Sequence, residues 1–330
     1  MRHQYIERSS GSPRTEPLFG DRLVTLLYHR VREHAPALFD MVTSARMTDV
    51  LGYLNFDLPF GMRGSASSRF LRELGVDLSE CLEPDSLDTP RKVFERRIRY
   101  QSCRPMPEDA ATVVSPADAR VLVGSCRENS ALFIKDKFFS FEELLGETLW
   151  HEAFRDGDFA LFRLTPDKYH YNHVPVSGVV VDLYQIDGAF NSCNPGAIVT
   201  VATPYSKNRR VVTVIDTDVK GGTGVGLVAM VEVVALMIGE IVQCYSEHGY
   251  ENPQPVEPGL FLEKGQPKSL YRPGSSTDIL FFQQGRVTFA RDLVANQARC
   301  DVESRFSRGF RMPLVETDIQ VRSQLAERRG

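Results

Sequence analysis

Past Pro105 the chain breaks into a succession of short runs rich in β-branched and aromatic residues, and this texture restricts the fold more than any other feature. The runs are ATVVSP, RVLVGS, ALFIKD, DFALFRL, GVVVDLYQI, AIVTVAT, RRVVTVIDT, LVAMVEV, IVQCY, TDILFF and RVTFA. Gly, Pro, Asn and Asp separate them, as they separate strands joined by tight turns. One helix is expected among them, over SFEELLGETLWHEAF, with Ser140 as cap and Glu143 three residues on, the capping-box spacing. Upstream the pattern is helical: Leu23, Leu26, Leu27 and Val31 recur at helical spacing. SASSRFLRELG carries a Ser cap ahead of an apolar face, and DTPRKVFERRIRYQ offers Asp88 as N-cap, Pro90 in the first turn and Phe94 with Ile98 on one side. PDSLDTP, between these two, reads as a loop. The expected fold class is α+β, a helical N-terminal section followed by a mainly antiparallel β body of sandwich or barrel type. The expected division is a disordered lead-in over 1–20, a helical region over 21–100 and the β body over 101–330.

A chain of 330 residues, 42% apolar and 25% charged, is neither a disordered tail nor a small disulfide scaffold. The 39 Lys and Arg against 43 Asp and Glu leave a net charge of -4, so no basic field is offered to nucleic acid. The six cysteines (81, 103, 126, 193, 244, 300) form no C-x-x-C and read as reduced thiols of a cytoplasmic protein. MRHQYIERSSGSPRTEP has no apolar segment of the secretory kind. The most apolar stretch, Val225 to Val242, is interrupted by Glu232 and Glu240 and divided at Gly239. A membrane span needs roughly 20 largely uncharged residues, so the stretch reads as two buried strands, LVAMVEV and GEIVQCY. GGTGVG, 221–226, precedes a strand-like segment rather than a helix and reads as a turn, not a dinucleotide loop.

Four segments carry chemistry-bearing residues. SPADARV sets Asp118 in a turn entering a strand. IKDKFFSFEELLG runs from Ile134 to Gly146. FRDGDFALFRLTPDKYHYNHVPVSG holds His170 and His173, and KGQPKSLYRPGSSTDILFF holds a Gly-Ser-Ser-Thr turn before an apolar strand. Taken singly, each has an ordinary reading: a turn-forming Asp, packed histidines, a hairpin turn. The His pair lacks a third ligand nearby and the i, i+4 spacing of helical zinc sites, so no metal is expected.

Together and in this order the four resemble the phosphatidylserine decarboxylase family, pyruvoyl-dependent enzymes that cut themselves at a Gly-Ser or similar bond. The matching residues are Asp118; Lys135 with Leu144, Leu145 and Gly146; Tyr169, His170, His173, Pro175 and Gly178; and Ser275, Ser276 and Thr277. Asn208-Arg209-Arg210 and VETDIQV also look like family segments, and the likeness runs from about Arg97 to Val321.

The resemblance implies three roles in self-cleavage: Ser276 as nucleophile, His173 as its base and Asp118 as the carboxylate that orients the imidazole, the logic of any Ser-His-Asp set. It further implies a pyruvoyl group made from Ser276, an electron sink for a substrate amine, with His170 as proton donor to the carbanion. No external cofactor is then required. The implied products of the cut, near 275/276, are a large and a small chain.

Three features depart from the family pattern. Ser275 stands where Gly precedes the nucleophile, which leaves Ser275 as the alternative cut position. Ala119 replaces the Gly after Asp118. Asp167 and Lys168 stand in inverted order before Tyr-His. The implied substrate is phosphatidylserine, the implied products are phosphatidylethanolamine and carbon dioxide, and peripheral contact with a membrane follows. Phe56, Leu58, Phe60 and Met62 are candidates for an interfacial dip, with core packing as the alternative. A free aromatic amino acid such as tryptophan as substrate, a serine hydrolase and a non-cleaving scaffold stay open, as does a homo-oligomer.

Overall fold

The fold is that of a computed structural model, which describes residues 2–18, 34, 75–127, 135–146, 150–200, 204–235, 240–273 and 276–330. The strands in chain order are β1 (Gln4–Glu7), β2 (Ser12–Thr15), β3 (Thr112–Val114), β4 (Ala119–Ser125), β5 (Asp158–Leu164), β6 (Tyr171–His173), β7 (Gly178–Ile186) and β8 (Arg210–Asp216). They continue as β9 (Leu227–Val233), β10 (Ile241–Gln243), β11 (Phe261–Leu262), β12 (Pro267–Tyr271), β13 (Ser276–Phe282), β14 (Val287–Phe289), β15 (Thr317–Ile319) and β16 (Gln324–Arg328). Ten form one sheet in the order β11-β7-β8-β9-β13-β5-β4-β15-β1-β2. Two three-stranded sheets, β10-β12-β6 and β14-β16-β3, complete the β body. Apart from β1 with β15, these strands pair antiparallel. The architecture is the α+β arrangement with a mainly antiparallel β body that the short β-rich runs imply.

β13 lies at the centre of the large sheet, paired with β5 and β9 along its length. Side chains alternate across a strand, so Ile279 and Phe281 go to one face and Leu280 and Phe282 to the other. The first face packs with Phe141 and Phe154 of short helices over Phe141–Leu145 and Trp150–Phe154, with Phe139 just after a helix over Lys135–Phe138, and with Phe159 of β5. The second packs with Val174, Tyr271 and Phe289 from the smaller sheets. Phe281 is fully buried and meets Phe139 and Phe141 edge-on. Leu144 and Leu145 of the family-like segment are core residues on this side, and their carbonyls accept from Arg210 and Tyr184.

Several local expectations are corrected. Residues 4–15, expected in the disordered lead-in, form the β1–β2 hairpin. It is fastened by the buried Arg163, whose guanidinium donates to Glu16 and to Glu316, and by His3 against Glu316 at 2.9 Å. The cap of the Pro90 helix is Thr89, not Asp88; its hydroxyl accepts from Lys92 N, and the helix ends at Phe94. Ser140 does cap a helix, but that helix stops at Leu145. Gly146 follows at φ 74, and a second helix covers Trp150–Phe154. The described part of AIVTVAT, AIVT, is not a strand: Asn194 caps a helix over Pro195–Ile198. Lys135 and Asp136, the end of the expected strand ALFIKD, begin a helix.

The helix proposed around Leu23–Val31, nearly all of SASSRFLRELG and the FDLPFGM segment lie outside the described residues. LVAMVEV is β9, and GEIVQCY contains β10. Among the described residues no helix is long and apolar enough to cross a membrane.

Candidate active site

Ser276 is the first residue of β13 and is fully buried, opposite Leu164 of β5. Its hydroxyl has no hydrogen-bond partner among the described residues. A buried hydroxyl without a partner costs free energy, so this one is not there for stability. Its neighbour Ser275 lies outside the described residues. Tyr271, at the end of β12, closes the same corner. Its backbone N–H donates to the His170 carbonyl at 3.1 Å, and its hydroxyl lies 3.0 Å from the Thr277 carbonyl and 2.7 Å from Asp278 Oδ1. One residue thus ties the His170 backbone to the strand that Ser276 heads.

His170 precedes β6 and His173 ends it; both are fully buried. The His170 Nδ1 lies 2.8 Å from the Lys168 carbonyl and the His173 Nδ1 lies 2.8 Å from the Gly265 carbonyl. A carbonyl only accepts, so each Nδ1 carries the hydrogen and each Nε2 presents its lone pair. Burial pushes both imidazoles down to about 3, with the Arg96 charge adding to the effect at His170. At neutral pH both are therefore neutral. The His170 Nε2 has no partner among the described residues, while the ring of Phe94 is stacked on it with centroids 3.5 Å apart. The His173 Nε2 accepts from the Tyr169 hydroxyl at 2.9 Å, and Tyr169 in turn meets Tyr250 at 2.7 Å.

Asp118 reaches His173 through the backbone of its turn, where Pro116 C=O accepts from His173 N at 2.7 Å. Its carboxylate turns elsewhere. Arg104 grips it through Nε and Nη2, and Val321 N donates to it at 2.8 Å. Burial alone would raise this carboxyl; the Arg104 guanidinium outweighs that and holds it below the usual range. No hydrogen bond joins Asp118 to His173, or His173 to Ser276, among the described residues. The orienting acceptor on His173 Nδ1 is the Gly265 carbonyl. Gly265 sits at φ 83, and a Cβ there would fall 2.5 Å from the Met106 sulfur, so the position requires glycine. Arg104, Tyr169, Tyr250 and Gly265 are thus site residues that the sequence reading assigned no such role. For Gly265, the adjacent Lys264-Gly265 pair was the signal within reach.

Behind Ser276 lies a buried polar cluster. Side chains two apart on a strand share a face, so Asp278 projects with Ser276, and Glu232 sits directly opposite Asp278 on β9. Lys268 donates to Glu232 at 2.7 Å and to Gln243 at 2.8 Å, Ser269 bonds Glu232, and Asn172 reaches Glu232, Ser269 and Asp278. Burial would raise Glu232, but Lys268 outweighs it and keeps that carboxylate ionised. Burial, then the Glu232 charge, drives Asp278 far above the usual carboxylate range, so it is an un-ionised acid. Lys268→Met therefore leaves Glu232 buried without its cation. Loss of one partner of such a pair costs about 3–5 kcal/mol, and urea unfolding at neutral pH is expected to show a loss of that size.

The two histidines also set an acid limit. Each has a folded-state pKa below its ordinary 6.5, so between pH 6.5 and about 3 the unfolded chain binds more protons. Stability is then full above pH 6.5 and falls as the pH is lowered through that window, by up to about 1.4 kcal/mol per pH unit for each group. Urea midpoints at pH 7 and pH 5 are expected to show this decline, and a His170→Gln, His173→Gln chain is expected to show a flatter one.

Away from this corner, His3, Glu16 and Glu316 bring ligand atoms within 4.8 Å of one another. Arg163 lies 2.6 Å from both carboxylates and supplies their positive charge.

A family model described as phosphatidylserine decarboxylase matches residues 91–307. The phosphatidylserine decarboxylase proenzyme of Fusobacterium nucleatum is 28% identical over 308 residues, covering 93% of this chain and 95% of the relative. That of Bordetella avium is 31% identical over 240 residues, 68% of this chain and 78% of the relative. Proenzyme 2 of Oryza sativa subsp. japonica is 31% identical over 258 residues, 77% of this chain and 38% of a longer relative. The matched span holds Arg104, Asp118, both histidines and Ser276, and with these likenesses the chain belongs to the phosphatidylserine decarboxylase family.

Proposed function

We propose that this chain is a carboxy-lyase that converts phosphatidylserine to phosphatidylethanolamine and carbon dioxide, using a pyruvoyl group generated from its own Ser276. The observation that carries the reading is the Ser276 hydroxyl, fully buried at the head of the central strand with no hydrogen-bond partner among the described residues. A side chain kept at that cost suits a group spent in chemistry.

In self-cleavage the Ser276 oxygen attacks the preceding carbonyl, and the peptide C–N bond breaks as the C–O bond forms. The result is an ester on Ser276 and a free amine at its nitrogen. Loss of the Ser275 carboxylate by elimination leaves a dehydroalanyl residue, and water then releases ammonia and leaves the ketone. His173 is the proposed base. Its lone pair is on Nε2, the atom now held by the Tyr169 hydroxyl, so the Tyr169 hydroxyl must yield that nitrogen to the serine proton. Asp118, held by Arg104, acts on this step through its own turn, which fixes the His173 backbone by way of Pro116.

Once formed, the pyruvoyl carbonyl supplies an electron sink for the amine-bearing substrate. His170, neutral and with an Nε2 unpartnered among the described residues, is the proposed group that takes up a proton and returns it to the carbon that has lost its carboxylate. A lipid substrate requires the chain to touch a bilayer from its surface.

A denaturing gel and the intact mass of each fragment test the cut. Two bands, with a pyruvoyl-blocked small chain beginning at residue 276, are expected. Carbon dioxide release from phosphatidylserine vesicles, and none from tryptophan, is the expected substrate result. A single full-length band would overturn the reading in favour of a non-cleaving scaffold.

A further inference from the structure

A cleft of about 420 Å³ is lined by Glu83, Lys92, Glu95, Arg96, Arg97 and Tyr171, and the charge of its Arg96 acts on His170. The short helix Pro90–Phe94 connects it to the site, since Lys92 lines the cleft and Phe94 lies flat on His170. Tyr171, on the opposite wall, is the residue after His170.

The charges in this cleft do not cancel. Lys92 pairs with Asp88, and Glu95 pairs with Arg91. Arg96 and Arg97 have no carboxylate within ion-pair distance among the described residues. Arg96 is only 9% exposed, and its guanidinium donates to the carbonyls of Val93 and Asp167. A buried cation without a counter-ion is costly, and backbone carbonyls supply no net negative charge. Arg97 hydrogen-bonds Tyr171 and lies 5.6 Å from the Tyr250 ring. The opposing carboxylates, Asp118 and Asp167 for Arg96 and Glu83 and Glu251 for Arg97, act from beyond ion-pair distance.

We propose that this cleft is an anion subsite that holds the phosphodiester of the substrate's head group, with Arg96 and Arg97 as its ligands. The inference rests on the decarboxylase reading above and narrows its substrate class. The substrate offers two anions, and chemistry selects between them. A carboxylate paired with arginine is stabilised before carbon dioxide leaves and less so afterwards, which opposes the reaction. A phosphodiester keeps its charge throughout, so binding it positions the reacting carbon without that opposition. A free amino acid has only the carboxylate, so these arginines favour the lipid. Docking an anion here also offsets one of the charges that keep His170 deprotonated.

The test uses the mature enzyme and dihexanoyl phosphatidylserine, which is water-soluble and removes membrane binding from the readout. Arg97→Gln is expected to raise KM about tenfold and leave kcat within about twofold, as loss of a charge-assisted contact made equally before and during reaction does. Arg96→Gln is expected to raise KM further. The two-band gel pattern of each variant reports that it folds and matures. Glycerophosphorylserine is expected to compete with the substrate and to lose most of that competition against Arg97→Gln, while equal inorganic phosphate competes weakly. An unchanged KM in Arg97→Gln, or a fall in kcat alone, overturns the subsite in an otherwise active enzyme. Equal competition by inorganic phosphate overturns the head-group assignment in favour of a general anion site. A wild-type enzyme that cleaves itself but releases no carbon dioxide from the lipid overturns the decarboxylase reading, and this one with it.

Discussion

Ser276→Ala is expected to give one full-length band on a denaturing gel and no measurable carbon dioxide release, in a protein as stable as the uncut wild-type precursor. The two halves of this expectation have one cause. The Ser276 hydroxyl is the proposed nucleophile, so its removal leaves nothing to attack the preceding carbonyl. That same hydroxyl makes no hydrogen bond among the described residues, so alanine forfeits no partner and removes an unsatisfied buried group. Measured against wild-type precursor that has not yet been cut, the unfolding midpoint in urea should correspond to a change of less than about 1 kcal/mol, in either direction. Chemistry lost with stability retained separates a consumed residue from a packing residue. Ser275→Ala, by contrast, is expected to leave the cut in place, and a loss of cleavage there would move the nucleophile to Ser275.

Replacement of the two histidines is expected to divide the activity in two. His173→Ala should block the cut, because the base nearest the Asp118 turn is gone. His170→Ala should still give two bands but lower carbon dioxide release by about 10²–10⁴-fold, the range for loss of a general acid or base. The division follows from their surroundings. His173 is fixed at Nδ1 by Gly265 and at Nε2 by Tyr169, among groups that belong to the folded precursor. His170 lies under Phe94 and within reach of the Arg96 charge, with its Nε2 unpartnered among the described residues, which suits a group that meets substrate. Cleavage surviving in His173→Ala would remove it as the base and leave His170, the other buried imidazole with a lone pair on Nε2, as the candidate.

What the sequence made legible was mostly what short range determines. Runs such as DFALFRL and GVVVDLYQI are strands with the expected limits, because β-branched residues bounded by Gly, Asp and Pro have few other uses. The described start of AIVTVAT departs from a strand because Asn194-Pro195 supplies a cap and a first helical residue, and that local signal overrides the β-branched residues just after it. The helix after Ser140 ended early because Gly146 takes a left-handed φ that stops it. At the site, the family resemblance proposed Asp118, His170, His173 and Ser276 but could not name their partners. The grip of Arg104 on Asp118, and of Gly265 on His173, depends on which loops the sheets bring face to face. The buried Glu232–Lys268–Asp278 cluster left one trace in the sequence, the acid that breaks the run LVAMVEV. Only strand register shows that this acid lies opposite Asp278, two residues from the serine on the same face.

The place of β13 in the large sheet has a further consequence. A break ahead of Ser276 would free a fragment of which the first seven residues are laced between β9 and β5, with β15 and β16 stitched to β4 and β3. Such a fragment could not diffuse away without unravelling the whole molecule, so the nicked protein would purify as a single particle. Its reassembly from denaturant would nonetheless become a second-order event, and its melting would come to depend on how dilute it is. A molecule of this design would be irreversible in the direction of maturation: readily opened once, and hard to rebuild from its pieces.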